Sequence, residues 1–282
     1  MRSTAARRPV KSLAFTPLIL RHESLPSTNT EAARQAASGA PEGLCVVARE
    51  QTAGRGRRGR SWASPKDAGL YFSLLLRPAF GAARWPLLSL MAALAASDAL
   101  EEACGLAADI KWPNDLLAGG RKLCGILAEA VETPRGRACV LGVGVNLRDA
   151  AFPPDLACAA TSVEAQTNRA PDAERLLEHL LRAAARRYEA LHAEGGAPAL
   201  VAEWESRSTF ARGRRVRVAL AGEGFEGTTR GLEPDGALRV ETDAGELRIV
   251  RAGDVIGLRG DDSTREVAEA ATNEATKREG KA

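Results

Sequence analysis

A chain of 282 residues, of which 45% are apolar, is long enough to bury a substantial core in one large domain or two unequal ones. Its net charge of +3 is the small difference between 39 basic and 36 acidic residues, so overall charge favours neither a nucleic-acid nor a membrane partner. The five cysteines include no CxxC pair, and no apolar run approaches the roughly 20 residues of a membrane span. We therefore expect a cytoplasmic protein with reduced thiols and neither a disulfide framework nor a zinc site.

The N-terminal segment is basic. Its first eleven residues contain four basic residues and no acid, and they lack the apolar segment of a signal peptide, so we expect a flexible terminus over residues 1–20 and not a transit peptide. A helical stretch at 30–38 follows Ser27, Thr28 and Asn29. These three side chains fit either a helix N-cap or a set of polar groups presented to a ligand.

The most informative segment, which we call the arginine loop, runs from Gly54 to Arg60 and carries four arginines on a glycine-rich backbone. Glycine permits close backbone approach, and guanidinium groups match phosphate and carboxylate oxygens. These seven residues alone fit a nucleic-acid patch, a solvated turn or a small-molecule phosphate site. The apolar runs at 44–48 and 70–76 predict buried strands on either side, so the loop joins two core strands of a folded domain.

The middle of the chain predicts a helix and a hairpin. Residues 86–104 are rich in leucine and alanine and predict a core helix that glycine ends at position 105. Two strand-like runs, 110–117 and 122–129, flank Gly119-Gly120, which is a hairpin signal. We expect Pro113, within the first run, to lie at an edge or an irregular position.

The next apolar run, 140–147, contains Gly142 and Gly144 and predicts a strand with close packing around a pocket. Residues 171–193 predict an amphipathic helix with a solvated outer face. At Gly142 and Gly144 we expect a ligand or another backbone to come close.

The composition changes near residue 212. From there to residue 259, short β-like runs alternate with glycine-containing turns, which predicts four or five strands in a small barrel of SH3-like size. Residues 261–282 hold no aromatic residue and a single β-branched aliphatic one, so we expect disorder. The remaining residues, 21–208, form the expected catalytic domain.

The candidate chemistry is anion binding. A nucleophilic triad is not indicated, because the three histidines lie away from these loops, at positions 22, 179 and 192. Besides the arginine loop, the loops that border apolar strands carry Lys111, Lys122, Asn114 and Asp115. Cations with one carboxylate and one amide suit a nucleoside triphosphate with Mg²⁺. Neither a GxxxxGK(S/T) loop nor a GxGxxG-plus-acid pattern is present, so the arginine loop would have to hold the phosphates.

Four motifs occur in order: Gln51–Trp62, Lys111–Asp115, Arg121–Leu127 and Gly142–Asn146. Together they resemble the biotin protein ligase family, and the resemblance extends over roughly residues 20–258. It implies an α+β fold, with a mixed β-sheet flanked by helices as in class II aminoacyl-tRNA synthetases and a C-terminal SH3-like barrel. About twenty residues precede the first recognisable strand, so the resemblance is to monofunctional members without an N-terminal DNA-binding domain.

The resemblance implies that biotin and Mg·ATP react to biotinyl-5′-adenylate and pyrophosphate, and that a lysine of a biotin carboxyl carrier protein domain then takes the biotin. Neither specific DNA nor a membrane is an expected partner, and a homodimer is left open. Because adenylates hydrolyse, a mobile arginine loop would act as a lid over the intermediate.

The same resemblance implies roles for individual residues. Arg57 and Lys122 are the expected catalytic residues. The expected biotin-binding residues are Ser27, Thr28, Asn29, Gln51, Gly54, Arg55, Gly56, Arg57, Lys122 and Gly125. The expected ATP or adenylate residues are Arg58, Arg60, Trp62, Lys111, Asn114, Asp115 and Asn146, with Asp115 as a Mg²⁺ ligand.

Two alternatives remain at this point. A lipoate–protein ligase would share the fold, and a nucleic-acid-binding module would use the basic arginine loop. For Trp62, core packing and contact with an adenylate are both open, whereas for Trp112 we expect core packing.

Overall fold

The computed structural model describes residues 15–149, 158–220 and 223–258, which form a seven-stranded and a five-stranded sheet. The strands of the first sheet are β1 (Leu18–His22), β2 (Leu44–Ala48), β3 (Gly69–Leu76), β4 (Asp109–Lys111), β5 (Asp115–Ala118), β6 (Arg121–Val131) and β7 (Ala138–Asn146). They lie in the order β1-β2-β3-β7-β6-β5-β4. β1 and β2 are parallel and the other neighbouring pairs are antiparallel, so the expected mixed sheet is confirmed.

Helices flank this sheet: α1 (Thr28–Ala37), α2 (Pro86–Cys104), α3 (Val163–Thr167), α4 (Ala173–His192) and α5 (Gly196–Arg207). α2 coincides with the predicted core helix and ends at Gly105, whose φ of +65° is the left-handed conformation that glycine favours. α4 confirms the predicted amphipathic helix, with one side buried against α2 and charged residues on the other. The sequence did not predict α5, which buries Trp204 completely.

The antiparallel pairing of β5 with β6 confirms the predicted hairpin, and Pro113 lies at an irregular position as expected. The first run, 110–117, is not one strand, because the structure divides it into β4 and β5. The chain turns at residues 112–114, where the Trp112–Pro113 peptide is cis. Proline has no N–H to donate to a strand ladder. The Trp112 indole N–H donates to Gly236 O, 2.9 Å away, in a turn that joins two strands of the five-stranded sheet. Trp112 is buried, so its predicted core role is confirmed.

The second sheet contains β8 (Arg212–Ala219), β9 (Gly224–Leu232), β10 (Leu238–Thr242), β11 (Leu247–Val250) and β12 (Asp254–Gly257). It is antiparallel, in the order β11-β10-β9-β8-β12, and confirms the small C-terminal β domain, which we call the barrel. At the other end of the chain, β1 begins at Leu18, before the expected domain start at residue 21. The expectations for residues 1–14 and 261–282 lie outside the described residues.

Three of the five cysteines lie in the core. Cys45, Cys124 and Cys139 are free thiols, and burial raises the pKa of each to about 12. Among the described residues, no helix has both the length and the apolar composition needed to cross a membrane.

Candidate active site: a cationic cleft beneath the arginine loop

A cavity of about 120 Å³, which we call the cleft, lies between the first turn of α1, the arginine loop and strands β6 and β7. The arginine loop reaches it because it connects β2 and β3, which are antiparallel neighbours in the sheet. Both flanking strands are buried, as predicted. The loop is therefore anchored at both ends by core strands, and its cationic side chains lie over the sheet.

The wall of the cleft on the α1 side is polar and buried. Thr28 donates from its backbone N–H and from Oγ1 to Gln51 Oε1, at 2.8 and 3.0 Å. The hydroxyl of Ser73 lies 2.8 Å from Thr28 Oγ1 and 2.5 Å from Asn29 Oδ1. The Ser27 side chain makes no capping hydrogen bond. Ser27 therefore does not cap α1 through its side chain, and Ser27, Thr28 and Asn29 all line the cleft.

Glycines form the floor of the cleft. Gly125 of β6 is paired directly with Gly144 of β7, and the indole of Trp62 lies on both. A Cβ at Gly144 would lie 2.5 Å from Trp62 Nε1, and one at Gly142 would clash with Asn29 Oδ1. The glycines of the Gly142–Asn146 motif thus make room for the side chains of the cleft, which confirms the predicted packing role.

Four cations line the cleft, namely Arg55, Arg57, Arg60 and Lys122, and none of its lining residues is acidic. Arg57 Nη1 donates to Asn114 Oδ1 at 3.2 Å. Burial lowers the pKa of the Arg57 guanidinium, because a desolvated cation is less stable. Lys122 Nζ lies 5.2 Å from the centroid of the Trp62 ring, within cation–π distance.

Three carboxylates outside the lining of the cleft hold these cations in place. Glu129 accepts from Arg55 Nη2 at 2.5 Å, and Asp254 of the barrel accepts from Arg60 Nη2 at 2.7 Å. The third, Asp115, lies 2.8 Å from Lys122 Nζ. These carboxylates hold the cations in position from outside the cleft, so the cleft itself contains no negatively charged side chain.

A wider groove of about 790 Å³ adjoins the cleft at Lys122, and Lys111, Asp115 and Arg214 also line it. The described residues contain no group of three or more His, Cys, Asp or Glu side chains that could hold a metal ion. Asp115 Oδ1 is buried and pairs with Lys122 without the alignment of a hydrogen bond. One carboxylate fits a Mg²⁺ ion that is bound mainly by phosphate oxygens and arrives with a nucleotide.

Most of the residues expected from the sequence meet at the cleft. Those that line it are Ser27, Thr28, Asn29, Gln51, Arg55, Gly56, Arg57, Arg60, Trp62, Asn114, Lys122 and Gly125. Lys111 and Asp115 line the groove instead. Gly54 packs against Trp62 O and Ser64, Arg58 donates to Ala219 O of the barrel, and Asn146 donates to Thr161 O beneath the cleft.

Leu127 and Glu129 of β6 are among the residues that sequence reasoning missed. Leu127 lines the cleft, and Glu129 accepts hydrogen bonds from Arg55 and Asn29. Alternate residues of a strand face the same side, so the position of Gly125 was the signal that could have found both.

Several known proteins to which this chain is similar are ligases. Residues 22–146 match the biotin/lipoate A/B protein ligase family, and residues 212–256 match the biotin protein ligase C-terminal domain. The biotin–acetyl-CoA-carboxylase ligase of Paracoccus denitrificans is 42% identical over 234 residues, which is 80% of this chain and 95% of that protein. The enzyme of the same name from Mycobacterium tuberculosis is 38% identical over 239 residues, covering 83% of this chain and 86% of that protein.

A solved structure agrees. The biotin protein ligase from Aquifex aeolicus in complex with biotin and ATP is similar with a TM-score of 0.76 at 26% identity, covering 87% of this chain and 100% of that chain. The fold and the cationic cleft thus define a ligase. The chain belongs to the biotin protein ligase family.

Proposed function

We propose that this enzyme activates biotin with ATP as biotinyl-5′-adenylate, releases pyrophosphate and transfers biotin to a lysine of a biotin carboxyl carrier protein domain. One observation supports this above the others: the cleft gathers four cationic side chains and no acidic one beside a buried polar wall. Such a site suits two anions brought together next to a ligand with a polar head group. Within this family those anions are the biotin carboxylate and the α-phosphate of ATP.

The activation step needs charge neutralisation more than proton transfer. A carboxylate oxygen attacks the α-phosphorus, a C–O–P anhydride forms, and pyrophosphate leaves. Two unit charges at 4 Å repel by about 1 kcal/mol in water and about 4 kcal/mol at an effective dielectric constant of 20. Arg57 and Lys122 are the proposed catalytic residues because both line the cleft as cations that offset this repulsion. Biotin is already ionised, so a general base is not required.

The other roles follow from position. Ser27, Thr28, Asn29 and Gln51 supply hydroxyl and amide groups on the polar wall, and we assign them to the ureido ring of biotin. Trp62 lies between Lys122 and the glycine floor, where its ring provides a flat apolar surface for the adenylate. We assign Arg60 and Asn114, which also line the cleft, to the phosphates, and Arg55 to biotin.

Mg²⁺ is proposed to enter with ATP and to be held by Asp115 together with phosphate oxygens. Bound there, it would neutralise charge on the leaving pyrophosphate. Asp115 already holds Lys122, so one carboxylate orients a cation of the cleft and faces the groove that adjoins it.

Transfer requires the acceptor lysine, in its neutral form, to attack the acyl carbonyl of the adenylate and expel AMP. We propose a biotin carboxyl carrier protein domain as the acceptor and the cytoplasm as the location, and three buried free thiols are consistent with a reducing compartment. A homodimer is compatible with the exposed apolar residues Leu18 and Ile19 on the edge strand β1.

The direct test is incubation of the purified protein with biotin, Mg·ATP and an acceptor domain. We expect pyrophosphate release, biotinyl-adenylate in the mass spectrum, and an acceptor heavier by one biotinyl group. Lipoate in place of biotin should yield neither product, and a lipoate preference would assign the protein to the other branch of the matched family. If biotin gives no pyrophosphate and no modified acceptor, the proposal is wrong.

Arg57→Ala tests the proposed catalytic charge. We expect adenylate formation in a single turnover to slow by roughly 10²-fold, as for loss of one charge-stabilising donor, and the adenylate to escape faster. Arg137→Ala is the matched control, because Arg137 is exposed and pairs with Glu132 away from the cleft. Equal rates for the two variants would contradict the role of Arg57.

A nucleic-acid-binding role receives no support from the arginine loop. Arg55 and Arg60 are paired with carboxylates, and Arg57 is turned inward to Asn114. Although about half of the Arg55 and Arg60 side-chain surface is exposed, carboxylates already offset their charges, whereas a nonspecific phosphate-binding patch needs cations without such partners.

A further inference from the structure

The arginine loop meets the barrel at one carboxylate. Asp254, the first residue of β12, lies 2.7 Å from Arg60 Nη2, 3.7 Å from Arg58 Nη1 and 3.9 Å from Arg57 Nη1. Three of the four guanidiniums of the loop therefore share a single counterion, and that counterion belongs to the other domain.

The backbone of the loop supports the same contact. Arg58 has a φ of +56°, a left-handed conformation that residues other than glycine rarely adopt. Its side chain donates to Ala219 O at 3.2 Å, and Arg57 Nη1 lies 3.3 Å from Gly253 O. The residue with this rarely adopted backbone conformation is thus one of those that reach the barrel.

Charge makes Asp254 the important member of this interface. Burial lowers the pKa of Arg57, the charges of Arg60 and Arg58 lower it further, and Asp254 is the largest opposing influence. Ala219 and Gly253 contribute only neutral carbonyl groups. Removal of the carboxylate would leave three guanidiniums to repel one another beside the cleft.

We infer that Asp254 is a positioning residue through which the barrel holds the arginine loop over the cleft. It touches no proposed substrate atom and acts through Arg57, Arg58 and Arg60. The inference rests on the proposed function only for the identity of the ligand that the arginine loop would cover. The contact between the loop and the barrel itself involves no ligand. It gives the C-terminal domain a part in building the cleft.

Trypsin provides the test, because the arginine loop is itself a run of trypsin sites. We compare cleavage within residues 55–60, identified by fragment mass, in the parent protein, in Asp254→Asn and in Asp243→Asn, all without ligand. Asp243 is the matched control, since it is an exposed acid of the same barrel that pairs with Arg215. We expect trypsin to cut Asp254→Asn about fivefold faster than the parent. The variant lacks the network of partly exposed ion pairs that opposes local opening of the loop in the parent. Asp243→Asn should be cut at the parent rate.

Three further measurements complete the design. Asp254→Glu keeps the charge and should restore most of the resistance. In Glu129→Gln, which lacks the carboxylate that pairs with Arg55, added salt should still speed cleavage of the loop relative to a reference peptide of the same loop sequence, which decides the question even if Asp254→Asn does not fold. The thermal midpoint of each variant checks that the fold is intact.

The inference would be overturned if Asp254→Asn were cut at the same rate as the parent, or if Asp254→Asn and Asp243→Asn were accelerated equally. Adding biotin and Mg·ATP to Asp254→Asn tests the proposed function separately from the positioning role. Bound phosphates should protect the loop of this variant from trypsin. If the loop is cut faster in this variant but ligands give no protection, the positioning role holds and the proposed function is contradicted.

Discussion

Glu129 shows how one carboxylate outside the cleft organises two groups within it. Its side chain is half-buried and accepts from Arg55 Nη2 at 2.5 Å and from Asn29 Nδ2 at 2.8 Å. Asn29 belongs to the polar wall and Arg55 to the arginine loop, so Glu129 ties the loop to the wall. Charge-assisted hydrogen bonds of this kind are roughly twice as strong as neutral ones.

We predict that Glu129→Gln weakens biotin binding by about tenfold, because a neutral amide keeps the shape but loses the ion pair with Arg55. Isothermal titration with biotin measures the effect. Glu132→Gln is the control, since Glu132 is an exposed carboxylate three residues further on that pairs with Arg137. An unchanged biotin affinity in Glu129→Gln would contradict this prediction, because biotin binding would then not depend on the carboxylate that holds Asn29 and Arg55 together.

At the scale of elements, the pairing of β6 and β7 decides where Trp62 lies. The register places Gly125 opposite Gly144, and the indole lies on the flat patch that two residues without side chains create. A methyl group at either position would occupy the space of the ring.

Gly144→Ala is therefore expected to displace Trp62 and to slow adenylate formation by about tenfold or more, with a thermal midpoint within a few degrees of the parent. Single-turnover adenylation and Trp fluorescence report the two effects. Gly81→Ala is the control, because a Cβ at Gly81 meets nothing within 4 Å and its φ of −59° suits alanine. A normal rate of adenylate formation in Gly144→Ala would contradict a role for Trp62 in the site.

An ion-pair network joins three helices behind the sheet. Asp98 of α2 accepts from Arg187 of α4 and Arg207 of α5, each at 2.6 Å, and Glu203 completes the network. Burial disfavours the ionised form of Asp98, but the two guanidiniums outweigh it and hold the pKa of this carboxyl below its usual value.

The contribution of Asp98 to the free energy of unfolding depends on pH. Since the folded pKa of Asp98 is lowered, its contribution to stability is complete above the unfolded pKa and is lost as the pH falls below about 4. We predict that Asp98→Asn lowers the free energy of unfolding by about 2 kcal/mol at pH 7, and that the difference from the parent shrinks in acid. Urea unfolding at several pH values measures it. Glu178→Gln, which removes an exposed pair with Arg182 within α4, should cost no more than about 0.5 kcal/mol. A difference for Asp98→Asn that stays constant with pH would contradict the assignment.

Elements with a local signal were predictable, and contacts between distant segments were not. The strands beside the arginine loop and the whole of α2 were predicted, because long apolar runs and terminal glycines are local patterns. Pro113 signalled locally that the strand at 110–117 would be interrupted, but the hydrogen bond from Trp112 to Gly236 of the barrel had no local signal, because the two positions are 124 residues apart in the sequence. Asp254 carries no local signal either, because 194 residues separate it from Arg60.

At the scale of the whole molecule, the two sheets share one core. A single hydrophobic cluster includes Leu87 and Leu90 of α2 together with Leu238 and Val240 of the barrel. Trp112 lies at the junction, buried, with its N–H donated to Gly236 O. Domains with such an apolar interface are expected to move and unfold together.

We predict that the parent protein unfolds in one calorimetric transition and that Trp112→Ala separates it into two. Loss of a buried tryptophan costs about 3–5 kcal/mol, and here that loss falls between the domains, so the barrel should melt first. Trp112→Phe, which loses the hydrogen bond and part of the ring volume but keeps an aromatic ring at the junction, should cost about 1–3 kcal/mol and keep one transition. Trp85→Ala is the matched control, because its indole donates to Phe80 O within the catalytic domain, and its midpoint should fall without a second transition. Two transitions in the parent would mean that the shared core does not couple the domains, and Asp254 would then hold the arginine loop from a barrel that opens independently.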